Sequence, residues 1–118
     1  MMRLAGMKLP NANRGVVSRE KIVDYLLNAA HPDNGGKAKF FEGLGFRRDA
    51  WEELASALER VARESVVRET EESSHGRKYV IVGKVASRMG RTAAVQTVWI
   101  VDRGLDVPRL VTVYPVEE

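Results

Sequence analysis

Along this chain the spacing of hydrophobic positions changes near residue 66, from a helical period to a strand period. Upstream, Ile22, Val23, Leu26, Leu27 and Ala30 recur at helical spacing and form one apolar stripe. Ser18 stands before that stripe as its N-cap, and Val17 with Ile22 makes a hydrophobic staple across the cap. The pair His31-Pro32 predicts the stop, because the residue before a proline is pushed out of the α region. The next stretch, HPDNGGKAKFFEGLGF, predicts a turn at Asn34-Gly35-Gly36 and then a short helix. In it Ala38, Phe41 and Leu44 share one side, and Gly45 is placed to end it in the left-handed conformation. A third helix carries the clearest stripe, Trp51, Leu54, Ala55, Leu58, Val61 and Ala62. Asp49 and Glu52 predict a variant capping box at its start, and Glu59–Arg63 an i,i+4 ion pair on its polar side.

Downstream the pattern alternates. Residues 66–72 (VVRETEE) predict a first strand whose charges suit a sheet edge. RKYVIVGKVA places Tyr79, Ile81, Gly83 and Val85 on one face, with Val80 and Val82 on the other. TAAVQTVWIV likewise divides Val95, Thr97, Trp99 and Val101 from Gln96, Val98 and Ile100. Both central strands are thus apolar on two sides, which predicts a sheet covered over much of both faces. In RLVTVYP strict alternation sets Arg109, Val111 and Val113 against Leu110, Thr112 and Tyr114, and Pro115 ends the strand. Short turns at 73–76, 87–91 and 102–108 join these strands. The expected fold class is α+β: three N-terminal helices packed on an antiparallel three- to four-stranded sheet, wound as a meander. The expected organisation is one domain over 1–118, with 1–17 partly mobile, 18–65 helical and 66–116 forming the sheet.

Composition narrows the chemistry. A chain of 118 residues with 44% hydrophobic and 30% charged positions can bury one core without staples. It has no Cys, so disulfides and thiolate metal sites are excluded, and a reducing cytoplasm suits it. No apolar run approaches the ~20 residues that span a bilayer, and residues 1–10 do not read as a signal peptide. The net charge of +3 is uneven: +5 over residues 1–48, −5 over 49–72 and +3 over 73–118. Such a layout can turn a cationic surface toward a polyanion, with the acidic helix pointing away, although ordinary solvated faces give the same counts.

No motif of high specificity is present. GGKAK lacks the glycine spacing of a phosphate-binding P-loop, so nucleotide hydrolysis is rejected. His31 and His75 do not fall in a metal-ligand spacing, and no metal or other cofactor is expected. No nucleophile turn of the G-x-S-x-G kind exists for a hydrolase triad. The glycines before Lys37 can cradle an anion at a helix start, or simply form an interhelical turn with Phe40 and Phe41 as core.

The pairing of HPDNGGKAKFFEGLGF after a YLLN helix with a terminal PRLVTVYP resembles a family of small bacterial domains to which it brings no activity. A second resemblance is to toxin ribonucleases of the barnase–EndoU–colicin–RelE type. It rests on the order of helices then sheet and on Thr112-Val113-Tyr114-Pro115, a Thr-x-aromatic-Pro ending. This resemblance implies RNA as substrate, a cognate immunity or antitoxin protein as partner, no membrane, and a metal-independent reaction. The His pair and Lys of EndoU-like enzymes would find His31, His75 and Lys37 here, at looser spacing. Metal-free RNA cleavage needs a base for the 2′-hydroxyl, an acid for the leaving oxygen and cations around the phosphate. His31 suits proton transfer, with His75 as second candidate. Lys37 and Arg109 would stabilise charge, while Thr112 and Tyr114 share a strand face where Tyr114 can stack on a base. Lys78, Arg88 and Arg91 would bind the nucleic acid backbone. The competing class is a non-enzymatic interaction module that uses the sheet edge or the basic loop 87–91.

Overall fold

In the computed structural model, which describes residues 6–116, the Ser18 hydroxyl accepts the Lys21 N–H at 3.1 Å and starts the first helix. The staple forms as expected, with Val17 and Ile22 both buried. Lys21–Leu26 then winds as a π-helix, with the Leu27 N–H donating to the Ile22 carbonyl at 2.8 Å. This helix ends at Leu26, short of the expected stop at His31-Pro32. The reason lies in side chains that take its last carbonyls. The Asn34 amide donates to the Tyr25 and Leu26 carbonyls, and the Asn28 amide donates to that of Asp24 at 3.1 Å.

Asn34, 3% exposed, also accepts the Ala38 N–H at 2.9 Å through Oδ1. It therefore clips the π-helix to the next helix, α1 (Lys37–Leu44). Gly35 and Gly36 make the turn between them at φ of 63° and 86°, where a side chain would be strained. At the other end Gly45 is left-handed, and the Phe46 N–H returns to the Phe41 carbonyl at 3.1 Å. Helix α2 (Trp51–Glu64) follows a 3₁₀ turn at Arg48–Ala50. Asp49 does not cap it, because the Arg47 guanidinium takes its carboxylate at 3.2 Å. The i,i+4 pair on its polar side is Arg60–Glu64, at 2.6 Å.

The strands β1 (Val67–Ser73), β2 (Gly76–Ala86), β3 (Thr92–Asp102) and β4 (Pro108–Pro115) form an antiparallel meander in that order. The α+β expectation holds, with the helices on one face. That face carries Tyr79, Ile81 and Val85 of β2 and Val95, Thr97 and Trp99 of β3, all buried beneath α2 and its neighbours. The Thr97 hydroxyl in this layer is satisfied: its Oγ1 donates to the Ile81 carbonyl and accepts the Trp99 indole N–H, each at 2.9 Å.

The opposite face departs from the expectation. Val80, Val82 and Val98 stay half-buried there, while Ile100 on the same face is buried. Residues 1–5, the beginning of the segment expected to be partly mobile, lie outside the described residues. Farther on, the Met7 carbonyl accepts the Val67 N–H at 2.7 Å, Leu9 is buried, and Val16 pairs in parallel with Arg109 on the β4 edge.

Candidate active site

The geometry of β4 decides what its side chains can reach. Strict alternation would put Arg109 on the face of Val111 and Val113. Instead Trp99 pairs with Leu110 while the adjacent Val98 pairs with Thr112, so Leu110 and Val111 together oppose one residue. This bulge resets the alternation. Leu110 and Val113 both enter the core, and Arg109, Thr112 and Tyr114 share the other face.

From the helical side, Lys37 at the start of α1 reaches the same strand. Its residue is only 7% exposed, and its ammonium donates to Thr112 Oγ1 at 3.0 Å and to the Tyr25 hydroxyl in close contact. Tyr25 and Thr112 hydroxyls are themselves 3.3 Å apart, closing a triangle of polar groups. The Lys37 nitrogen also lies 4.7 Å from the Tyr25 ring centre and 4.5 Å from that of Tyr114. No carboxylate among the described residues pairs with it. A buried ammonium normally needs an anion to offset its desolvation. Here hydroxyls and aromatic faces carry it, an arrangement that leaves the positive charge available to an incoming anion.

Tyr25 lies at the centre of the cluster. Burial pushes its phenol up, but the hydrogen bonds with Lys37 and Thr112 and the charges of Lys37 and Lys21 outweigh burial and hold its pKa below the ordinary value. Lys21 stands 5.4 Å from its ring centre, and the His31 ring meets it edge-on at 5.1 Å. Tyr25, Lys21, His31, Asp33 and Val111 line an open hollow of about 310 Å³ beside the triangle. Within it, His31 Nδ1 accepts the Asp33 backbone N–H at 3.0 Å, which leaves Nε2 as the protonated nitrogen of the neutral ring. Two larger hollows lie elsewhere, one along the charged face of α2 near Arg88 and one around Gly45 and Met89, and neither contains this cluster.

Of the residues singled out in the sequence, Lys37, Thr112 and Tyr114 therefore converge, with His31 at the margin. Arg109 shares their face of β4, but Asp102 holds its guanidinium through two hydrogen bonds of 2.7 and 3.1 Å. That carboxyl is held below the usual range by the hydrogen bond and charge of Arg109. His75 occupies the β1–β2 turn, where its carbonyl accepts the Arg103 N–H at 2.8 Å. It neighbours the Gly76–Asp102 pair, roughly 13 Å along β3 from the Thr112 partner Val98 at strand rise. Lys78 is half-buried on the outer face of β2, opposite Ile100. At the far hairpin Arg88 pairs with Glu53 of α2, and Arg91 donates to the Gly43 carbonyl at 2.8 Å. These last three do not join the Lys37 cluster.

The sequence reading missed Tyr25. Its only signal was position: an aromatic residue just off the Ile22–Val23–Leu26–Leu27 stripe. A π-helical winding is also a frequent companion of functional sites, but no residue pattern announced it. Among the described residues no group of three or more His, Cys, Asp or Glu side chains could hold a metal ion. No helix among them is long and apolar enough to cross a membrane.

Comparison with known proteins adds three findings. The model of the family described as "Domain of unknown function (DUF6883)" matches residues 8–117, and the chain belongs to that family. No curated protein matches the sequence significantly. Among solved structures, a chain of the "Contact-dependent growth inhibition toxin - immunity protein complex from Klebsiella pneumoniae 342" is similar, with a TM-score of 0.72 at 17% identity. The match covers 92% of this chain and 98% of that one, a likeness of fold.

Proposed function

We propose that this DUF6883 domain is a toxin-like ribonuclease that cleaves RNA phosphodiesters without a metal ion, with the Lys37 cluster as the seat of the scissile phosphate. The observation that carries the reading is the buried Lys37 ammonium, held by the hydroxyls of Tyr25 and Thr112 and flanked by the rings of Tyr25 and Tyr114. A fixed cation in a partly dry site stabilises the charge that builds on phosphate oxygens in the transition state. Thr112 orients that cation from the sheet. Tyr114, 47% exposed, presents a ring on which an unpaired base can stack. RNA is the fitting substrate because its 2′-hydroxyl is an internal nucleophile, so the site needs proton transfer and a cation but no second reactant. The toxin assignment draws on the fold shared with a chain of a toxin–immunity complex. By the same likeness, a cognate immunity protein is the expected partner.

The test is incubation of the purified protein with total bacterial RNA in the presence of a chelator. Wild type should cleave, and Lys37→Met should lose roughly 10²–10³-fold, the scale for removing one preorganised electrostatic donor. Full activity in Lys37→Met, or no cleavage by folded wild type, would overturn the reading. A second reading, a non-enzymatic module that binds a protein of a toxin system, is favoured by the half-buried apolar strip of Val80, Val82 and Val98. It predicts no cleavage by wild type and partner binding that survives Lys37→Met.

A further inference from the structure

We infer that Tyr25, not either histidine, is the general base of this site, and that Lys37 is the matching acid, the two forming a proton-transfer pair that resets itself. The inference rests on the ribonuclease reading above and assigns the reacting groups within it.

The geometry of three contacts supports it. Lys37 has three N–H donors, and the hydroxyls of Tyr25 and Thr112 take two of them. The third remains for a phosphate or leaving oxygen. Tyr25 is the acceptor of a charge-assisted bond from that ammonium, which stabilises the phenolate form. Its phenol is correspondingly held below its ordinary range, burial being outweighed by Lys37, Thr112 and Lys21. His31 is less suited to be the base, since its Nδ1 already accepts the Asp33 N–H and its Nε2 then carries a proton. His75 lies in a different turn altogether.

The step balances without another reactant. The Tyr25 phenolate takes the proton of the 2′-hydroxyl as the 2′-oxygen bonds to phosphorus. The bond from phosphorus to the 5′-oxygen breaks, and that oxygen takes a proton from the Lys37 ammonium. The products are a 2′,3′-cyclic phosphate and a 5′-hydroxyl. Tyr25 is now a neutral phenol and Lys37 a neutral amine, joined by a hydrogen bond. Passage of the phenolic proton to the amine restores phenolate and ammonium. The charged and titratable groups facing Tyr25 are Lys37 from α1, Lys21 from its own helix, and His31 and Asp33 from the following turn, with the Thr112 hydroxyl from β4.

The experiment compares wild type, Tyr25→Phe and Lys37→Met on total bacterial RNA with chelator, across pH. The wild-type rate should rise with pH as Tyr25 ionises. Tyr25→Phe keeps the ring and should lose about 10²–10⁴-fold together with the rising limb. A second readout needs no RNA. In a phenolate absorbance titration the earliest-ionising of the tyrosines should vanish in Tyr25→Phe and move to higher pH in Lys37→Met. The inference is overturned, with the ribonuclease reading intact, if Tyr25→Phe cleaves within about tenfold of wild type with the same pH profile. It is overturned equally if no early-ionising phenol disappears in that variant. Both fall together if folded wild type cleaves no RNA at any pH.

Discussion

Replacing Gly83 with Ala tests how α2 meets the sheet. Gly83 sits mid-strand in β2 on the core face, and its φ is not of the kind that only glycine adopts, so the backbone accepts alanine. By strand preference alone the change should help, by roughly 0.5–1 kcal/mol. The space says otherwise. An added Cβ would lie 2.6 Å from Ser65 Oγ and 2.9 Å from Val61 Cγ1, against the ~3.5–4.0 Å of relaxed carbon contacts. Ser65 can rotate its hydroxyl away. Val61 cannot, because a β-branched residue within a helix has essentially one χ1 rotamer. The helix must therefore lift from the sheet, and overpacking of this kind costs about 1–3 kcal/mol. The net loss expected is roughly 0.5–2 kcal/mol once the strand gain is set against it. Urea denaturation should show a lower midpoint with an unchanged slope. In the double variant with Val61→Ala the two losses should be less than additive by at least about 0.5 kcal/mol, since the new methyl enters the space that Val61 vacates. A Gly83→Ala protein as stable as wild type, or additive losses, would refute the close contact.

Further outcomes concern His31 and Asp102. His31→Ala should lower RNA cleavage by less than about tenfold and leave the rise of rate with pH in place, well short of the 10²–10⁴ that a lost base removes; a loss on that larger scale would return the base role to the imidazole. Asp102 is ionised more readily in the folded chain than in the unfolded one, because of Arg109. Its contribution to stability is therefore present above the unfolded carboxyl range, near pH 4, and fades as pH falls through the folded pKa. The melting temperature of Asp102→Asn should accordingly lie below that of wild type at neutral pH and converge with it in acid. A gap that stays constant across pH would show that Arg109 does not hold this carboxyl.

Local patterns were enough for much of this molecule. The stripe from Trp51 to Ala62 specifies α2 because a 3.6-residue period leaves it one buried face. The faces of β2 and β3 follow from a period of two, and the left-handed Gly45 from the absence of a side chain. Lys37, Thr112 and Tyr114 were visible as residue types suited to a phosphate and a base. The tertiary structure alone decided how they meet. In Leu110-Val111-Thr112-Val113 either alternation offers an aliphatic residue to the core, so nothing local marks the bulge that turns Thr112 and Tyr114 to the face opposite Leu110 and Val113. The stop of the first helix depends on Asn34, whose amide folds back on carbonyls 8 and 9 residues earlier. Tyr25 and Lys37 reach Thr112 across 87 and 75 residues of chain. Separations of that length have no period to read, because packing of the helices against the last strand sets them, and that is a property of the folded chain.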